Sequence, residues 1–183
     1  MATNGEMIMM PETAHNNTLE VYRCDQFPDK WSPYSTIMKE TAAADATLHF
    51  HDGIWWLFVN IGDRGRSKND ELYLFYSETP LGPWRPHRNN PVKSDVRSAR
   101  PAGRLFEHQG KLYRPAQDLS CDPRYTVPIN RVETLSPERY QETVVSCLKA
   151  GWRKNQIGIH TVNHYAGITA IDIMVRRWKY FRG

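Results

Sequence analysis

The chain has 183 residues, of which 40% are hydrophobic, 24% charged and 11% aromatic. That composition suits a folded core in one domain, or two at most, and is too apolar for wholesale disorder. The formal net charge of +4 is mild and its basic residues are dispersed, which argues against a nucleic-acid-binding stripe.

Residues 1–11 carry acidic Glu6 and lack both a basic leader and a long apolar run, so they do not read as a signal peptide. No stretch approaches the roughly 20 apolar residues of a membrane-spanning helix. Cys24, Cys121 and Cys147 are odd in number and far apart, which predicts buried thiols in a reducing, cytoplasmic compartment rather than a disulfide framework.

Twelve prolines and eleven glycines break the chain into short aromatic and β-branched runs: 5–10, 19–22, 55–59, 72–76, 111–114 and 167–174. Each has strand length and turn residues at its ends. Helical signals are weak: Ser136-Pro137 heads what reads as one capped turn over 136–140. Basic residues concentrate only in the tail, 176–182, which reads as a solvated terminus. The fold class is all-β.

A repeat organises these strands. Gly53, Gly110 and Gly167 lie two steps of 57 apart, and Leu48, Leu105 and Val162 fall on the same steps. Each copy reads as strand, glycine turn, strand, with the glycine supplying the positive φ of a tight hairpin. Leu19 is followed at twelve residues by Trp31, and Leu72 at twelve by Trp84, so a third and a fourth strand recur as well. Four antiparallel strands repeating at this period mark β-propeller blades, against a β-sandwich with accidental spacing. The predicted blades are 5–38 (three strands), 45–87, 99–145 with a long connection through 121–125, and 157–175 (two strands). That makes about three blades, an incomplete ring whose open edges invite pairing with another chain.

Several short motifs occur in one order. They are Met9-Met10-Pro11-Glu12-Thr13, Phe27-Pro28-x-x-Trp31, Ala44-Asp45-Ala46-Thr47, and Gly82-Pro83-Trp84-x-x-His87 with Asn90-Pro91-Val92. Ala99-Arg100-Pro101-Ala102-Gly103, Arg114-Pro115-Ala116-Gln117-Asp118 and Gly158-Ile159-His160-Thr161 follow. Together they resemble the five-bladed propeller domain at the N-terminus of plant glucosamine inositolphosphorylceramide transferases, with related domains in bacterial formyltransferase-like and glycan-assembly proteins. The architecture is more distantly similar to family-43-type glycoside hydrolases. The resemblance implies the later part of a carbohydrate-related propeller domain.

In a propeller the innermost strands line a central channel, and Asp45, Arg100 and His160 fall near the start of that strand in three successive blades. Glu12 ends a strand of the blade before. Glu12 and Asp45 are a candidate glycosidase pair, one carboxyl group to protonate the leaving group and one to activate water or attack. The plainer reading makes Asp45 a strand-start cap and Glu12 a loop carboxylate. Arg97, Arg100, Arg114, Gln117, Asp118 and His160 are candidate ligands for a sugar or sugar phosphate, since an arginine fork suits an oxyanion. Arg100 and Asp118 read equally as a structural ion pair. Trp55, Trp56, Trp84 and Tyr113 offer faces for sugar rings but fit better as core between sheets.

No nucleotide-binding glycine loop appears, and the basic segment 63–68 reads as a solvated turn, so no cofactor is expected. His49 and His51 share a strand face but lack a third ligand, so no metal is expected. The leading reading is a sugar-recognising domain that works beside a transferase domain. A glycosidase and a non-catalytic scaffold that associates through open blade edges are the alternatives.

Overall fold

The fold is known from a computed structural model that describes residues 2–3, 5–62, 69–120 and 125–177. The basic turn at 63–68, Cys121 with most of the long connection, and the tail beyond 177 lie outside these residues.

The chain is all-β, and among the described residues the only helix is a single 3-10 turn, Ala14–Asn16. Strands β1 (Ala2–Thr3), β2 (Glu6–Met9), β3 (Thr18–Gln26) and β4 (Lys30–Lys39) form a first antiparallel sheet in chain order. It takes in Ala2–Thr3, ahead of the expected start at residue 5. Strands β5 (Ala42–His51), β6 (Ile54–Gly62), β7 (Glu71–Ser77) and β8 (Arg85–Pro86) form the second, with β9 (Lys93–Ser94) also paired to β7. The third is β10 (Phe106–His108), β11 (Lys111–Pro115), β12 (Val127–Leu135) and β13 (Tyr140–Leu148). Two ribbons end the chain: β14 (Gln156–Gly158) pairs β17 (Met174–Val175), and within that loop β15 (Val162–Tyr165) pairs β16 (Ile168–Ile171).

The repeated glycines sit where the spacing places them. Two residues join β5 to β6, β10 to β11 and β15 to β16, and both have positive φ: Asp52 and Gly53 at 50° and 79°, Gln109 and Gly110 at 50° and 69°, Ala166 and Gly167 at 49° and 80°. This left-handed pair matches the natural twist of the flanking strands. Gly5, with φ 79°, lies between β1 and β2, but its distance to Gly53 is off the common step.

The core lies between the sheets. Strand β6 is buried on both faces, which explains its unbroken apolar run. Leu57 and Val59 pack with Leu19, Ala43 and Leu48 toward the first sheet, while Trp56 and Phe58 pack with Leu72, Leu74, Leu105 and Leu112 toward the third. Ala102, Val127, Ile129, Ile159 and Val162 fill the layer between the third sheet and the terminal ribbons. Trp55 and Trp84 pack against the layer facing the first sheet, and Tyr113 against the last. Gly103 (φ 125°) brings the chain against β15 so closely that a Cβ would lie 2.1 Å from the Val162 carbonyl oxygen. The Val162 N–H donates to the Ala102 oxygen at 2.8 Å in the same stitch.

Two expectations are corrected. Residues 136–140 make no helical turn. They close the β12–β13 hairpin, where the Ser136 hydroxyl accepts the Arg139 N–H at 3.0 Å, because continuous pairing of these two strands leaves no room for helix. The described thiols are not buried: Cys24 on β3 is half-buried, and Cys147 is exposed because β13 is the outer strand of its sheet.

Candidate functional site

The site begins with a break in β5. Its register against β6 shifts between Ala44 and Thr47, and Asp45 there adopts φ 49°. Aspartate tolerates this left-handed conformation better than most side chains, and a bulge re-aims the residue that it displaces. The carboxylate is thereby turned onto groups from the third sheet and the segment leading to it.

Asp45 Oδ2 accepts from Arg100 Nε at 2.5 Å and from Gln117 Nε2 at 2.8 Å. Arg100 Nη1 donates to Asn69 Oδ1 at 2.6 Å, and Gln117 Nε2 also donates to the Pro101 oxygen at 2.7 Å. The Gln117 N–H donates to the Arg100 oxygen at 2.8 Å, so both residues are fixed by backbone as well. Gln117 is fully buried and its Oε1 has no partner. The Asp45 N–H points at Glu12 Oε2 across a longer 3.4 Å.

A cavity of about 210 Å³ opens here, lined among others by Glu12, Asp45, Thr47, Gly103 and Thr161. A second, of about 290 Å³, shares Met10, Ala46, Thr47 and Gly103 with it and runs on past Ile8, Leu48 and Arg104. The first is polar where Glu12 and Asp45 face it, and the second is mainly apolar.

The other expected residues are placed as follows. His160 is half-exposed beside Thr161; its Nδ1 lies 3.7 Å from Asp172 Oδ2 and its ring 5.8 Å from that of Tyr125. Arg97 is exposed and held by Asp95 at 2.9 Å. Asp118 accepts from the Ser120 hydroxyl at 2.6 Å. Arg100 therefore pairs with Asp45, not with Asp118. Arg114 is fully buried and donates through Nε and Nη2 to Glu142, at 2.8 and 2.6 Å. It joins a separate cluster with Lys93 and Tyr140. Sequence reasoning missed Asn69 and Glu142, because neither lies at a repeated position.

His49 and His51 stack at 5.9 Å. Burial, with lesser help from His51 and Arg104, pushes the His49 imidazole down to about 4 and keeps it neutral near pH 7. Among the described residues, no group of three or more His, Cys, Asp or Glu side chains is arranged to hold a metal ion. No helix among them is long and apolar enough to cross a membrane.

Residues 1–173 match the family described as glucosamine inositolphosphorylceramide transferase 1, N-terminal. The chain belongs to that family. Within it, the chain is 40% identical over 144 residues to glucosamine inositolphosphorylceramide transferase 1 of Oryza sativa subsp. japonica, covering 77% of this chain and 19% of that protein. It is 39% identical over 145 residues to the Arabidopsis thaliana protein of the same name, covering 78% and 19%. This family member thus spans about a fifth of the length of the curated relatives it matches.

Solved structures supply the fold of this family member. The exo-β-1,3-galactanase 1,3Gal43A from Clostridium thermocellum superposes with a TM-score of 0.59 at 12% identity, covering 85% of this chain and 37% of that one. Bacteroides ovatus xyloglucan PUL GH43B gives 0.53 at 14% identity, covering 91% and 32%. The fold is the β-propeller of family-43 glycoside hydrolases.

Proposed function

We propose that this domain recognises a sugar or sugar phosphate at the cavity beside Asp45, Arg100 and Gln117, as an accessory to a glycan-assembly transferase domain. It contributes about three blades of a five-bladed-type propeller. The observation that carries the reading is Asp45, which lines an open, partly polar cavity and is held there by Arg100 and Gln117. Arg100 is held through Nε and Nη1, which fixes the plane of its guanidinium, and its side chain stays partly exposed. Buried Gln117 locks the carboxylate from behind. His160, next to Thr161 of the lining, is the further ligand candidate. Arg97, Arg114 and Asp118 are engaged by Asp95, Glu142 and Ser120, and the proposal gives them structural roles.

Titration calorimetry against sugar phosphates and uronic acids tests this. Saturable heat that disappears in Arg100→Gln is the expected result, and no heat with any of them from a folded sample overturns it.

A glycosidase reading draws on Glu12 and Asp45, which line one cavity. Asp45 Oδ2 already accepts from two donors, Arg100 and Gln117, which suits a fixed hydrogen-bond acceptor in recognition. Hydrolysis of aryl glycosides that is lost in both Glu12→Gln and Asp45→Asn would favour catalysis over recognition. The scaffold alternative draws on the apolar side chains exposed on β13 and around the β15–β16 turn, Val144, Val145, Tyr165 and Ile168, which suit contact with further blades or a second copy. A discrete dimer in light scattering would favour it.

A further inference from the structure

We propose that Lys149 and Arg176 form an oxyanion site for a phosphoryl group, in a cavity apart from the one around Asp45. The cavity is about 460 Å³ and lies between the end of β13, the start of β12 and the β14–β17 ribbon. Its lining includes both cations, together with Thr126, Asn155 and Gln156, and among the described residues no carboxylate.

The two cations come from distant parts of the chain and meet through strand pairing. Lys149 directly follows β13, whose Leu148 is paired with Val127. Arg176 directly follows β17, and its N–H donates to the Asn155 oxygen at 2.8 Å, which carries it across to the turn before β14. That turn is wound around Gln156. The Oε1 atom of Gln156 accepts N–H groups from Gly151, Trp152 and Arg153 at 3.0, 2.9 and 3.3 Å. Its Nε2 is buried and has no hydrogen-bond partner.

Among the described residues several cations, including Arg104 and Arg153, have no carboxylate within ion-pair distance, and what distinguishes Lys149 and Arg176 is that both line one cavity. Arg23, Lys93, Arg97, Arg100, Arg114 and Arg131 each have a carboxylate within ion-pair distance. Lys149 and Arg176 have none among the described residues. Two like charges brought to one concave surface repel, and an anion supplied from outside relieves that repulsion while accepting their hydrogen bonds. A phosphoryl group has the charge and the oxygen count to use both cations at once.

The test is an amide NMR titration of the full chain at low ionic strength, with inorganic phosphate in one arm and glucose 1-phosphate in the other. Saturable shifts at Lys149, Gln156 and Arg176 are expected, weakening as salt is added. Lys149→Gln and Arg176→Gln should each weaken binding about tenfold or more, consistent with loss of a charge-assisted hydrogen bond. Both side chains project from exposed positions, so the variants should keep the wild-type amide spectrum away from the cavity. Arg100→Gln should leave these shifts intact, so that failure here and failure at the Asp45 cavity are told apart. The tighter of the two ligands identifies the source of the phosphoryl group. Shifts that do not saturate with either, or that persist unchanged in both variants, overturn the proposal.

Discussion

Two carboxylate–arginine clusters join the second sheet to the third, and they differ in how much is left over. Around Glu142, Arg114 donates twice, Lys93 Nζ once at 2.7 Å and the Tyr140 hydroxyl once at 2.5 Å. The Glu142 side chain is 4% exposed and that of Arg114 not at all. Arg114 also donates to the Ser98 and Ala99 carbonyls. Around Asp45, the carboxylate and Arg100 stay 25% and 20% exposed, one Gln117 oxygen is unpartnered, and a cavity adjoins. A saturated, dry cluster has nothing to offer a ligand, whereas a half-wet one with spare hydrogen-bonding capacity does. The same residue types therefore hold sheets together in one place and present a candidate binding surface in the other.

The sharpest way to break this contrast is Glu142→Gln. It leaves the buried Arg114 guanidinium without its counter-ion, and removing one partner of a buried pair typically costs about 3–5 kcal/mol. Urea unfolding should show a loss of that size.

The second test is acid. Burial by itself would push the Glu142 carboxyl up, but the Arg114 guanidinium, with Lys93 behind it, holds it down at about 2. A carboxyl lowered by folding stabilises the protein above its unfolded value near 4.5 and loses that contribution as pH falls toward 2. The effect is about 3 kcal/mol by linkage. Stability measured from pH 5 to 2 should fall steeply in the wild type, and Glu142→Gln should flatten that slope.

Asp45→Asn sharpens the other side. Its stability cost should stay at about 1–2 kcal/mol, because water reaches the vacated groups. Ligand heat in calorimetry should weaken by about tenfold or more. A stability loss as large as that of Glu142→Gln would make the two clusters equivalent and remove the argument for a site.

The smallest effect is expected from Gln117→Leu, at about 1 kcal/mol or less in urea unfolding. The substitution removes a donor to Asp45 and Pro101 but also the buried unpartnered oxygen, and these changes oppose each other.

Much of the fold is legible in the residues. The Gly53, Gly110 and Gly167 hairpins follow from a backbone conformation that few other residues adopt, so the chain must repeat glycine where the geometry repeats. The run 55–59 announces a strand buried on both faces. Asp45 and Arg100 are legible as neighbours because they fall at nearly the same place in successive repeats. The thiols and the 136–140 turn were less so, since local composition says little about which strand ends up outermost or how tightly a hairpin closes. Glu142 is illegible as the partner of Arg114. Only pairing of β13 to β12, and of β12 to β11, carries it there.

Glycine spacing and apolar runs by themselves determine that this protein is built of repeated antiparallel hairpins, because turn stereochemistry and burial act over a few residues. The packing of sheet on sheet decides which arginine is sealed into the core, which stays partly exposed, and that Lys149 and Arg176 line one cavity. Those outcomes depend on desolvation and on distances between chain segments far apart in order, and no local pattern encodes either.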